Sequence, residues 1–127
     1  MVRFYIRDNE NFTVLVLSEI ALPIDPQNVI WIDLFQPSKE EVKQIELLFT
    51  IELPSKHERE EIELSSRYWE DNRSIMINSY FFVSFFFVES AKGHYNESVS
   101  FVLQDNILFT VRDRELQTFD TIHKMVS

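Results

Sequence analysis

Apolar and polar positions alternate at the start of the chain. Residues 2–7 and 12–17 run apolar or alternate around the polar stretch Asp8-Asn9-Glu10-Asn11, a pattern that predicts a β-hairpin. A loop holding Pro23 and Pro26 leads into Val29-Ile30-Trp31-Ile32-Asp33-Leu34, whose β-branched and aromatic side chains predict a third strand. After Pro37 the period changes. Val42, Ile45, Leu48 and Phe49 recur at spacings of three and four, the mark of one helical face. Ser38 and Glu41 stand three apart at its start and form a capping box. Another such box, Ser55-Lys56-His57-Glu58, follows Pro54 and predicts a second helix, with Ile62 as its only aliphatic residue between Lys56 and Glu63. So narrow an apolar stripe marks a helix that is solvated or waiting for a partner.

Strand patterns return at residues 66–70, 74–88, 98–104 and 107–112, the second long enough to bend or break near Ser84. Residues 89–97, with Gly93, are expected to form a loop, and Asp113 to cap a last helix with Leu116, Phe119, Ile122 and Val126 on one face. Gly93 is the single glycine, so turns that need a positive φ must use asparagine or aspartate. Asp8-Asn9, Asp71-Asn72 and Asp105-Asn106 each fall between apolar runs and are read as hairpin turns. The predicted order βββ-αα-ββββ-α is that of an α+β fold, a mixed sheet with helices packed on it, in one domain over residues 1–127.

Composition removes whole classes of chemistry. With no cysteine there is no disulfide framework, thiolate metal site or cysteine nucleophile. One glycine cannot build a phosphate-cradling loop, a dinucleotide fingerprint or a nucleophile elbow. His57, His94 and His123 are too far apart in sequence to pair at metal-ligand spacing. No enzyme is expected. Twelve lysines and arginines against 21 aspartates and glutamates give a net charge of −9, which argues against nucleic-acid partners and favours cations or a basic partner. The most apolar window, Tyr80 to Val88, is about half the ~20 residues that a membrane-spanning helix needs. Its phenylalanines read as a core strand covered on both faces.

The acidic run is the remaining lead. Glu58, Glu60, Glu61 and Glu63 crowd the weakly apolar helix. Such a run is most often a solvated face. The sharper alternative is a site for a hard cation, since oxygen-only donors suit magnesium or calcium.

Several segments taken together resemble one family. Trp31-Ile32-Asp33-Leu34 followed by Pro37-Ser38-Lys39-Glu40-Glu41 is similar to the strand-to-helix signature of CorA-type magnesium transporters. Arg59-Glu60-Glu61-Ile62 resembles their Leu-Glu-Asp-Ile segment, and Ser65-Ser66-Arg67-Tyr68-Trp69-Glu70-Asp71 their small-small-Arg-aromatic-aromatic-Glu-Asp stretch. Asn78-Ser79-Tyr80-Phe81-Phe82, Leu108-Phe109-Thr110-Val111-Arg112 and Arg114-Glu115-Leu116 resemble the later strands and the turn that follows them. The likeness covers roughly residues 28 to 126 with its spacing kept.

The resemblance implies a three-layer α/β/α domain with a mixed, largely antiparallel seven-stranded sheet, lying at the cytoplasmic face of the inner membrane. It implies a longer protein, whose stalk helix and membrane spans would follow residue 127 and supply the contact with the membrane. The apolar pattern of the last helix, still running at the end of the chain, leads to the same expectation. It also implies a homopentamer of identical copies that senses intracellular divalent cation at subunit interfaces, with Mg²⁺ as the regulatory ion. Glu61 falls where the family has its interface aspartate and Glu60 matches the preceding glutamate. Glu61 places its carboxylate one methylene further out than aspartate would, and Arg59 stands in place of leucine. Transport of cobalt or nickel, a zinc-transporting relative, and a free-standing acidic module that docks a basic protein are the alternatives.

Overall fold

A computed structural model describes residues 1–19, 24–55, 68–70, 73–86 and 92–126 of the chain. The strands are β1 (Val2–Asp8), β2 (Asn11–Val16), β3 (Val29–Phe35), β4 (Tyr68–Glu70), β5 (Ser74–Phe86), β6 (Lys92–Gln104) and β7 (Ile107–Arg112). The helices are α1 (Lys39–Phe49) and α2 (Gln117–Val126). The strands lie in one sheet in the order β2-β1-β3-β7-β6-β5-β4. β3 and β7 pair in parallel, and every other described pairing is antiparallel. The mixed, largely antiparallel sheet with helices packed on it is the fold class expected from the chain.

Strand register sorts the side chains onto two faces, because successive residues point to opposite sides. On one face Phe4 lies opposite Ile32, Ile32 opposite Phe109, Phe109 opposite Val102, and Val102 opposite Met76. This row and Ile45 of α1 form the main core. On the other face the row runs from Tyr5 to Trp31, and from Asp33 through Thr110 to Phe101. There α2 and the residues before it close a smaller cluster of Val99, Leu116 and Phe119 against Trp31 and Phe101. Among the described residues one helix covers each face.

Local chemistry fixes the element ends. The Ser38 Oγ accepts from the Glu41 backbone N–H at 3.1 Å, while the Glu41 carboxylate accepts from the Ser38 N–H at 3.0 Å. This is the predicted capping box. Asp105 (φ 51°) and Asn106 (φ 66°) take the two left-handed positions of the β6–β7 turn, and Asn9 (φ 57°) sits in the β1–β2 turn. Both hairpins turn at the predicted Asp-Asn pairs; Asp71-Asn72 lies outside the described residues.

Four expectations are corrected. β6 begins at Lys92, so residues 92–97 are strand and not loop: backbone pairing with β5 continues to Phe86 opposite Lys92. β5 does not break at Ser84, which stays in register opposite His94. Leu48 is 60% exposed, because it sits at the edge of the α1 stripe that Ile45 centres. Asp113 is not the helix cap: α2 starts at Gln117, and the Leu116 carbonyl accepts from the N–H groups of Phe119 and Asp120. The predicted second helix, from Ser55 through Glu63, falls outside the described residues beyond Ser55. So do the side chains of Tyr80 to Phe86, and that of Val126.

Candidate functional site

Glu60 and Glu61 lie outside the described residues, as do Glu58, Glu63, His57 and Arg59. Residues of two signature segments, 31–34 and 108–112, come together where β3, β7 and α2 meet. Asp33 and Arg112 are both buried there. Arg112 Nη2 donates to Asp33 Oδ2 at 2.9 Å, and Nε to Oδ1 at 3.2 Å. Thr110 Oγ1 donates to Asp33 Oδ1 at 2.8 Å and accepts from Trp31 Nε1 at 2.9 Å. The sheet brings these residues together because Asp33 stands opposite Thr110 and Phe35 opposite Arg112 in the parallel pair. Alternation then places Trp31, Asp33, Thr110 and Arg112 on the α2 face.

Arg112 reaches beyond the sheet. Its Nη1 donates to the Arg114 carbonyl at 2.8 Å. The guanidinium lies 4.8 Å from the Phe35 ring centre and 4.4 Å from that of Phe119 on α2, within cation–π range on both sides. Further along the same face, Tyr5 stacks on Trp31 at 4.2 Å and its hydroxyl lies 2.9 Å from His123 Nδ1. Burial is the largest cause of the raised Tyr5 pKa, followed by the nearby Asp33 carboxylate.

This network fits a structural clamp and offers no open metal site. Asp33 is acceptor-saturated by Thr110 and Arg112. Among the described residues no three histidine, aspartate or glutamate side chains gather as a metal site. No described helix is long and apolar enough to cross a membrane.

A groove of about 710 Å³ lies at the opposite end of α1, between Ile30, Leu48, Thr50, Arg73, Gln104 and Ile107. Its polar rim is engaged internally. Arg73 pairs with Asp105 at 2.7 Å and donates to the Thr50 carbonyl at 3.3 Å. Gln104, buried below, donates to the carbonyls of Phe49 and Thr50 and meets the Ser74 hydroxyl. Sequence reasoning missed Gln104 and Arg73, since only the fold brings them to the end of α1.

Comparison with known proteins places the chain. The family model described as CorA-like Mg²⁺ transporter protein matches residues 26–127. A magnesium transport protein CorA from Wolinella succinogenes is 50% identical over 109 residues, covering 86% of this chain and 34% of its own length. The protein of the same description from Campylobacter jejuni is 45% identical over 107 residues, with shares of 80% and 32%. That from Escherichia coli K12 is 39% identical over 93 residues, with shares of 72% and 28%. The soluble domain of CorA from Methanocaldococcus jannaschii has a similar fold, with a TM-score of 0.68 and 18% identity over 99% of this chain and 46% of that one. These matches define a domain of a transporter family and not an enzyme. The chain belongs to the CorA-like magnesium transporter family, and it spans about a third of the length of the relatives it matches.

Proposed function

We propose that this chain is the amino-terminal cytoplasmic domain of a CorA-like transport channel, and that it regulates the passage of magnesium or a similar divalent cation. The observation that carries the reading is the family match over residues 26–127, a range that includes the Arg59-Glu60-Glu61-Ile62 segment. In this reading the protein works as a homopentamer at the inner face of the membrane.

Glu60 and Glu61 are the residues we assign to the regulatory cation. Their donor set is oxygen only, which fits a hard ion such as Mg²⁺ that keeps most of its waters. The bound ion would neutralise carboxylates that otherwise repel one another across neighbouring copies. A ligand of this kind acts only through a difference in its affinity for the two states. High internal magnesium then favours the closed ring, and loss of magnesium lets the copies separate. The acidic net charge supports the same reading by raising the local concentration of cations.

The test is Glu61→Lys in the full-length protein, read as the magnesium dependence of closure. Closure that needs more magnesium, or none at all, supports the assignment. Unchanged magnesium dependence overturns it.

A further inference from the structure

The amino group of Met1 reaches two elements at once. It donates to the Phe35 carbonyl at 2.6 Å, and the Phe35 N–H donates back to the Met1 carbonyl at 2.9 Å. Met1 thus extends the antiparallel β1–β3 ladder by one backbone pair beyond Val2 and Leu34. The same ammonium lies 3.6 Å from Glu41 Oε1, the oxygen that accepts from the Ser38 N–H in the capping box of α1. Between these two contacts Gln36 sits at φ 44°, a left-handed position that is unfavourable for a residue with a Cβ. The Gln36 N–H is held by the Arg112 carbonyl from β7. Met1 braces the junction from the side of β1.

We propose that Met1 is a processing-sensitive site, where removal of this one residue loosens the junction between β3 and α1. Met1-Val2 suits a methionine aminopeptidase, the class of enzyme that cuts a terminal methionine preceding a side chain as small as valine. Water adds across the peptide bond, free methionine leaves, and Val2 keeps a new ammonium. Phe35 then loses both of its bonds to Met1, and Glu41 loses its cationic partner. The largest change is in where the charge sits. Met1 is 39% exposed, whereas Val2 is 0% exposed and belongs to the main core. A charge on Val2 is stripped of water unless the end of β1 draws away from β3. The contact with Glu41 is the smaller part, because both groups are partly open to solvent and screened by salt.

Two chains released from the same cleavable tag test the proposal, one beginning at Met1 and the other at Val2. Starting at Val2 should lower the Tm by about 5 °C or more. It should also speed exchange of the Phe35 amide about tenfold relative to that of Ile32, since the Phe35 N–H has lost its acceptor. Met1→Ala, released in the same way, keeps the ammonium and the backbone pair, and its Tm should stay within about 2 °C of the unaltered chain. An unchanged Tm or an unchanged Phe35 exchange in the chain that begins at Val2 overturns the proposal. So does a Met1→Ala chain as unstable as the shortened one, which would assign the effect to the methionine side chain. If the shortened chain does not fold, Met1→Ala decides: Phe35 protection equal to that of the unaltered chain supports the proposal, and its loss overturns it. No outcome bears on the cation reading of Glu60 and Glu61.

Discussion

Arg112 holds Asp33 through Nε and Nη2, one edge of its guanidinium, across a parallel strand pair whose residues are 79 positions apart in sequence. Their side chains are 3% and 1% exposed. Two charges taken so far from water are tolerable only because every partner is present: Thr110 and Trp31 complete the carboxylate side, Phe35 and Phe119 flank the guanidinium, and the Arg114 carbonyl takes its remaining edge. The Trp-Ile-Asp and Thr-Val-Arg segments thus serve one purpose in this domain, which is to tie β3, β7 and α2 together.

Removing one partner should leave the other charge buried and alone. Asp33→Ala is expected to cost about 3–5 kcal/mol in denaturant unfolding. Arg112→Lys should also be costly, because an ammonium cannot make the bidentate contact or lie flat between two rings. A loss below about 1 kcal/mol for Asp33→Ala would contradict the clamp.

Thr50 ends α1 in the left-handed region at φ 50° and ψ 55°, where a β-branched side chain is strained. Its backbone carbonyl, and not its side chain, receives Gln104 and Arg73. Thr50→Gly should therefore keep those bonds and raise stability by about 1 kcal/mol, seen as a higher Tm.

The two donors at that helix end should differ in weight. Gln104 is buried, so Gln104→Ala leaves the part-buried carbonyls of Phe49 and Thr50 and the buried Ser74 hydroxyl without its amide, at about 1–3 kcal/mol. Arg73 and Asp105 are about half exposed, and Arg73→Ala should cost under about 1 kcal/mol, with the loss reduced further by salt. Equilibrium unfolding of both variants at low and high ionic strength checks the order.

Tyr5 gives an alkaline signature. Its folded pKa is raised above the ordinary tyrosine value of 10.0, chiefly by burial. The folded chain therefore keeps a proton that the unfolded chain loses. Stability from this source is full below the unfolded value and falls as pH rises through the folded one. Tyr5→Phe should flatten the loss of stability above about pH 10, and the absorbance titration of the unaltered chain should show a late tyrosine that Tyr5→Phe lacks.

Local chemistry made much of this domain legible. The capping box at Ser38 and Glu41, the turns at Asn9 and Asp105-Asn106, and the alternation of β1, β3 and β7 depend on neighbours a few residues apart, and they occur where the pattern places them. The readings that failed depend on distant contacts. The β6 strand starts six residues earlier than its pattern, at Lys92 rather than Ser98, because a polar stretch can be strand when β5 supplies the facing backbone. Ile122 and Leu48 keep helical spacing yet stay exposed, since periodicity gives a face and not what lies against it.

The sequence by itself determined the family and the acidic balance, because both are carried by residue identity and spacing, and it offers Glu60 and Glu61 as ligands through the family resemblance alone. Tertiary structure alone decided the roles of Asp33, Arg112, Tyr5 and His123. A buried charge or hydroxyl has meaning only with the partner that meets it. Here the parallel register of β3 with β7 and the docking of α2 bring together groups 79 and 118 positions apart.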